Sequence, residues 1–268
     1  MQMREIMAAV RAKHPLIHCI TNPISINQCA NAILAIGARP IMAEHPAEVC
    51  EIAGTADALM LNLGNITDAR MQSMRRALIT AKERHIPVIL DAVGTACSGL
   101  RRDYAAALLE TGIPTVIKGN YSEIFALHQT AYRAAGVDAD ENISTDAVCN
   151  AASELARKLG ATILASGKTD VVTDGARLAF IRNGTPQLSS VTGTGCMLGA
   201  LCGAYLSASP DMQAAVTACA VLGVCGQLSE TEKGSGSFMV NLMDALSTLT
   251  GEELEKHKEL EVLPYEKI

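Results

Sequence analysis

The chain has 268 residues, 49% of them hydrophobic and 19% charged, which excludes a disordered polymer and gives ample length for a buried core. Its 22 Lys and Arg stand against 28 Asp and Glu, a net charge of −6, and it contains no Trp, 3 Phe and 5 Tyr. With neither a basic footprint nor a set of stacking aromatics, the composition argues against nucleic-acid binding.

Residues 1–14 read as an amphipathic helix and lack the unbroken apolar region of a signal peptide. Short β-branched runs then alternate with longer helical patterns. Strands are predicted over Leu16–Ile20, 59–62, Val88–Asp91, 115–118 and Thr162–Ser166 from their length and flanking breakers. Helices are predicted over 27–36, 46–53, 68–84, 103–110 and 145–159. The third of these opens on Thr67-Asp68 and closes on Lys82, Glu83 and Arg84 ahead of Pro87. Alternation of this kind predicts parallel strands with helices on both faces.

After Ser166 the pattern changes. Extended runs at 171–173, 178–181 and 188–191 are separated by Asp174-Gly175 and Asn183-Gly184, which read as hairpin turns. From Gly195 onward the chain reads as helical. The apolar run 214–228, interrupted by Thr217, Gly223 and Gly226, is short for a bilayer span and reads as a buried helix. No repeat, low-complexity tract or linker divides the sequence, so residues 1–268 are expected to form one α/β domain. Its sheet should be mostly parallel with an antiparallel edge, and its last third helical. The cysteines at 19, 29, 50, 97, 149, 196, 202, 219 and 225 contain no CxxC pair. They read as reduced thiols serving as small apolar side chains, which points to the cytoplasm.

In such sheets the ligand site lies at the carboxyl ends of the strands. Five predicted ends carry polar or glycine-containing groups: Thr21-Asn22, Asn62-Leu63-Gly64, Asp91 through Gly94, Lys118-Gly119-Asn120 and Ser166-Gly167. Each alone could be a turn, but together they favour a crevice. A sixth segment, Val191-Thr192-Gly193-Thr194-Gly195-Cys196, opens an apolar helix. Its glycines let backbone N–H groups approach an anion at a helix start, and Cys196 sits in the first turn. No Lys follows and the third glycine is misplaced, so it is neither a P-loop nor a GxGxxG fingerprint. Asp91 is open to a capping role or to a metal or phosphate role. Asn120 and Glu123 can form a capping box or approach Mg²⁺ through water. Lys118 is a point charge suited to a nucleotide phosphate. The histidines at 14, 18, 45, 85, 128 and 257 show no metal spacing.

Asn-x-x-Glu after a middle strand, with a late Gly-x-Gly and a reactive residue at a helix start, resembles the ribokinase-like superfamily. Cys at the last position, where most of that superfamily has Asp, resembles the hydroxyethylthiazole kinases of thiamine salvage. So do the opening stretch from Ile20-Thr21-Asn22-Pro23 to Asn31, then Gly37-Ala38-Arg39-Pro40-Ile41-Met42-Ala43, then Leu61-Asn62-Leu63-Gly64. The resemblance runs collinearly over about residues 5 to 250. It implies a ribokinase-like three-layer sandwich and ATP-dependent phosphorylation of the primary hydroxyl of 4-methyl-5-(2-hydroxyethyl)thiazole with Mg²⁺. By motif match, Asn22, Ile24, Met42 and Gly193 would line the thiazole pocket and Lys118 and Ser166 would contact ATP. Asp91, Asn120 and Glu123 would organise metal and phosphates, and Cys196 would sit beside the attacking hydroxyl. The family also implies a homotrimer with sites between subunits. This chain departs from the family pattern at Ala92, where Pro is usual, at Ala96-Cys97-Ser98, where Gly-Ala-Thr is usual, and at Lys118, where Arg is commoner. The alternatives are a hydroxymethylpyrimidine-type kinase, a nucleotide-hydrate dehydratase of the same superfamily, or a thiazole-binding protein without turnover.

Overall fold

The computed structural model describes residues 1–129, 131–134 and 143–265. Its frame is one nine-stranded sheet. In chain order the strands are β1 (Leu16–Ile20), β2 (Arg39–Ile41), β3 (Ala58–Asn62), β4 (Val88–Asp91), β5 (Val116–Asn120), β6 (Thr162–Ser166), β7 (Asp170–Thr173), β8 (Arg177–Ile181) and β9 (Leu260–Pro264). Their spatial order is β2-β1-β3-β4-β5-β6-β7-β8-β9. The first six strands pair parallel and the last three add antiparallel. The helices are α1 (Met3–Lys13), α2 (Ile26–Ala35), α3 (Val49–Ala53), α4 (Asp68–Glu83), α5 (Gly99–Thr111), α6 (Tyr121–His128), α7 (Thr145–Leu159), α8 (Thr194–Leu206), α9 (Met212–Leu228), α10 (Ser235–Thr248) and α11 (Gly251–His257).

Period-two alternation along the strands divides the core. Ile17, Met60, Ile89, Val116 and Leu164 pack with α1, α2, α8, α9 and α10 on one face. Leu59, Leu61 and Leu90 face α4 and α5, and Ile117 and Ile163 face α6 and α7. Asn62, Asp91, Lys118 and Ser166 each lie two residues beyond a member of the first set. They therefore point to the α8 face of the sheet. Local signals start the helices: Thr67, as the sequence predicts, accepts a hydrogen bond from the Arg70 N–H, and Ser144 accepts one from the Ala147 N–H. The 103–110 pattern extends back to Gly99, because Ser98 caps it through the Arg101 N–H.

Three expectations fail for identifiable reasons. Residues 188–191 do not form a strand. Pro186 starts a 3-10 helix, Pro186–Ser190, capped by Thr185, and its fixed φ suits that first position. Asn183 is accordingly not a hairpin turn. Its Nδ2 donates to Gln227 Oε1 and to the His257 carbonyl, and its Oδ1 accepts from the Glu259 N–H at 2.6 Å. Those bonds guide the chain into β9, which interrupts the helical third and pairs antiparallel with β8. The sequence reading also passes over β2. With three residues and Pro40 in the middle, it is the kind of strand tolerated only at an edge. The Asp174-Gly175 turn does join β7 to β8, with Gly175 at φ +88°. Among the described residues no helix is long and apolar enough to cross a membrane.

Candidate active site

Three neighbouring parallel strands end in a row of polar side chains. Asn62 is opposite Asp91 in the β3–β4 register, and Asp91 is opposite Lys118 in the β4–β5 register. All three are buried. Lys118 Nζ donates to Asp91 Oδ1 at 3.0 Å, and Asn62 Nδ2 donates to Asp91 Oδ2 at 2.9 Å, so both carboxylate oxygens are engaged. Burial works against the Lys118 charge, but the Asp91 and Glu123 carboxylates outweigh it and hold its pKa above the ordinary lysine value.

Helix α8 rests its first turns on this row. Its N-cap, Gly193, has φ +94°, a conformation that favours glycine, and no side chain caps the first-turn N–H groups. A Cβ at Gly193 would meet Ser25 Cβ at 3.2 Å, which seats the turn on the segment that follows β1. A Cβ at Gly195 would lie 3.6 Å from Lys118 Nζ, so the ammonium lies directly beneath the glycine turn. Cys196, half-buried, follows. Its Sγ accepts from Asn22 Nδ2 at 3.3 Å and from Asn62 Nδ2 at 3.4 Å. Asn22 is held in turn by its own Oδ1, which accepts from the N–H groups of Ile24 and Ser25.

Asn120 and Glu123 form the expected capping box at the start of α6. Glu123 Oε2 accepts from the Asn120 N–H and Oε1 accepts from the Gly94 N–H, both at 2.7 Å. Burial pushes the Glu123 carboxyl up to about 7 against the pull of Lys118. Gly119 makes room for it, since a Cβ there would meet Glu123 Cβ at 2.9 Å. The Asp91–Gly94 departure is accommodated: the Ala92 N–H donates to the Lys118 carbonyl at 2.8 Å, a bond proline cannot make. Arg102 then braces the loop through the Thr95 and Ala96 carbonyls.

Beside the α8 start lies a cavity of about 750 Å³ walled by Ser166, Gly167, Lys168, Asp170, Thr194 and Gly195, among others. Ser166 is therefore on the wall, whereas Lys118 is under the floor. Asp170 went unnoticed in the sequence. Burial pushes its carboxyl up to about 6, while its Oδ1 accepts from the Gly167 N–H at 3.0 Å. Asn62 was visible only as a strand end, with nothing to mark it as the joint between Asp91 and Cys196. Ile24 is 57% exposed and Met42 half-buried, and neither lines that cavity. Among the described residues no three His, Cys, Asp or Glu side chains converge as a metal cage.

The mostly parallel sheet, with an uncapped glycine turn opening a helix over its strand ends, is the fold of the ribokinase-like kinases. A ribokinase-like superfamily protein from Enterococcus faecalis shares this fold, with a TM-score of 0.67 over 94% of each chain at 13% identity. The hydroxyethylthiazole kinase family model matches residues 7–252, and the chain belongs to that family. It is 43% identical to hydroxyethylthiazole kinase 2 of Clostridium botulinum over 94% of this chain and 97% of that one. The structure of a hydroxyethylthiazole kinase from Pyrococcus horikoshii superposes with a TM-score of 0.88 at 31% identity, covering 97% of this chain and 98% of the other.

Proposed function

We propose that this protein phosphorylates the primary hydroxyl of 4-methyl-5-(2-hydroxyethyl)thiazole at the expense of ATP, in thiamine salvage. The observation that carries the reading is the meeting of Asn22, Cys196, Asp91 and Lys118 beneath an uncapped helix start, next to a cavity large enough for a nucleotide. The hydroxyl oxygen attacks the γ-phosphorus, the bond to the β-bridging oxygen breaks, and ADP leaves. The hydroxyl proton passes to the Cys196 sulfur or to the transferred phosphoryl group. Such a reaction asks the protein mainly for position and charge. The N–H groups after Gly193 and the Lys118 ammonium supply positive potential where the phosphoryl charge develops. Ser166 marks the ATP side, and Asn22, Ile24, Met42 and Gly193 mark the thiazole side.

The donor set fits Mg²⁺ held mainly by the phosphates. Asp91 is locked to Lys118 and Asn62, which suits an anchor for the ammonium, while the half-buried Asn120, with the buried Glu123 carboxylate behind it, would act on the ion through water. When bound, the ion would neutralise charge on the phosphates. The exposed Ile24 supports a pocket completed by a neighbouring copy in a homotrimer, and the nine unpaired cysteines support a cytoplasmic setting.

The test is transfer of labelled γ-phosphate from ATP to the thiazole alcohol, with light scattering on the same sample. We expect one ADP per thiazole phosphate and three chain masses. Tight thiazole binding without transfer would favour a sensor, transfer to a hydroxymethylpyrimidine instead would favour the related kinase, and a fully active monomer would remove the shared pocket.

A further inference from the structure

Asn62 lies at the joint between the two halves of the site. It is fully buried, and every hydrogen-bonding position of its amide is taken. Oδ1 accepts from the Gly64 N–H at 2.8 Å and from Asn22 Nδ2 at 3.1 Å. Nδ2 donates to Asp91 Oδ2 at 2.9 Å and to Cys196 Sγ at 3.4 Å. This set fixes which way the amide points. Turned over, it would place its oxygen against the Asp91 carboxylate and its N–H against the Gly64 N–H. The two halves of the side chain therefore have separate partners. The oxygen holds the turn after β3, which any acceptor could do. The nitrogen faces only the ion pair and the sulfur. A buried polar group that is fully satisfied in one orientation alone is a rigid device, since any other arrangement leaves unpaired groups in the core.

We propose that Asn62 is a positioning residue for phosphoryl transfer: its Nδ2 group holds the Cys196 sulfur and the Asp91 carboxylate in one fixed arrangement. Asp91 in turn holds Lys118, so one amide sets the sulfur on the acceptor side and the ammonium beneath the anion nest. The proposal rests on the kinase reading above and deepens it.

A double-mutant cycle in kcat tests it. Asn62→Ala and Cys196→Ala should each lower kcat by about 10-fold, below the roughly 10²–10⁴-fold typical of a general base because phosphoryl transfer asks little of one, with KM for both substrates within about 3-fold of wild type. Because the part of the Asn62 effect that runs through the sulfur is already lost in Cys196→Ala, the double variant should lose clearly less than the product, about 10- to 30-fold, any excess over 10-fold being the part that runs through Asp91. A loss near 100-fold, the product of the two, would mean that Asn62 acts independently of Cys196 and would overturn the proposal. Asn62→Asp keeps the acceptor for Gly64 and Asn22 but sets a second carboxylate against Asp91, and the one proton the two share leaves no donor for the Cys196 sulfur. It should lose turnover at least as the alanine variant does, and full activity there would equally overturn the proposal.

A readout without catalysis separates this inference from the kinase reading. Asn62 holds the Cys196 sulfur in one orientation, so iodoacetamide labelling of Cys196, referenced to the exposed Cys97, should slow by about 5-fold in Asn62→Ala. An unchanged ratio would overturn the proposal. The expected change in labelling, in a wild-type protein that transfers no phosphate to the thiazole alcohol, would sink the kinase reading and leave Asn62 as the residue that places the sulfur.

Discussion

Replacing Lys118 with methionine removes one half of the buried ion pair at the centre of the site. Nζ lies 3.0 Å from Asp91 Oδ1, and the two side chains are 5% and 0% exposed, so solvent screens neither charge. At an effective dielectric of about 20, opposite charges at that separation attract by about 5 kcal/mol. The variant leaves Asp91 in the core with the Asn62 amide as its donor, and breaking a buried pair typically costs about 3–5 kcal/mol. Methionine escapes the burial penalty of an ammonium, which places the expected loss near the lower end, about 3 kcal/mol. For a chain of this size that corresponds to a fall of about 6–12 °C in melting temperature. Urea unfolding followed by far-UV circular dichroism suits a chain without Trp. Lys118→Met combined with Asp91→Leu removes both charges and should recover most of the stability, because apolar replacement of a buried pair is close to neutral. Both variants should lack turnover. A single variant within about 1 kcal/mol of wild type, or a double variant no more stable than the single one, would refute the reasoning.

Glu123→Gln should lower turnover by about 100-fold or more while thiazole binding stays near wild type, because on the proposed reading it takes away a carboxylate that helps hold Mg²⁺ on the phosphates; isothermal titration beside steady-state kinetics checks this, and lost stability with normal turnover would reduce Glu123 to a helix cap. Asp170 has its carboxyl pushed up from 3.8 to about 6, so the folded chain holds that proton more tightly and its contribution to stability is full below pH 3.8 and lost as pH rises through 6. Urea midpoints across that window should flatten in Asp170→Asn relative to wild type, and parallel curves would count against the assignment. Gly199→Ala places a Cβ 2.9 Å from Met60 Cε and 3.4 Å from Asp91 Oδ2, and overpacking of that kind costs about 1–3 kcal/mol before a helix-propensity gain of about 1 kcal/mol. Gly195→Ala meets nothing nearer than Lys118 Nζ at 3.6 Å, so thermal unfolding should show no loss of stability while kinetics show weaker use of ATP.

How much of this was legible in the sequence depends on the range of the interactions involved. The parallel strands ending at Ile20, Asp91 and Ser166 emerged with correct limits because burial on both faces produces continuous apolar runs with sharp ends. The capping box of Asn120 and Glu123 was readable because both partners lie within one turn. β9 was not, since its strand partner, β8, lies about 80 residues earlier and its own residues are mostly exposed. Residues 188–191 carried a strand-like composition that Pro186 overrode locally. In the site, Cys196 stood out by its place after a glycine turn. Asn62 and Asp170 did not, because what distinguishes them is a set of partners far away in sequence: Asp91 and Cys196 for the first, and for the second the cavity wall beside Gly195.

The glycines of α8 explain how a row of polar groups can be buried at the ends of the central strands. Gly195, Gly199 and Gly203 recur every four residues and so line one side of the helix. A Cβ at each would meet, in turn, Lys118 Nζ at 3.6 Å, Met60 Cε at 2.9 Å and Ile89 Cγ2 at 3.5 Å. The stripe lets the helix backbone come down onto β1, β3 and β4 until Cys196 is within reach of Asn62. Unpaired, Asp91 and Lys118 would be costly in that position. Paired with one another and with an amide, they become a rigid base, and the glycines that bring the helix close also leave its first-turn N–H groups open to an anion. Glycine in a helix interior costs up to about 1 kcal/mol relative to alanine, a cost borne three times along α8. It is offset by packing, since the helix is buried from Met197 to Leu206, and it yields a site in which the sulfur, the ammonium and the anion nest are all held before any ligand arrives.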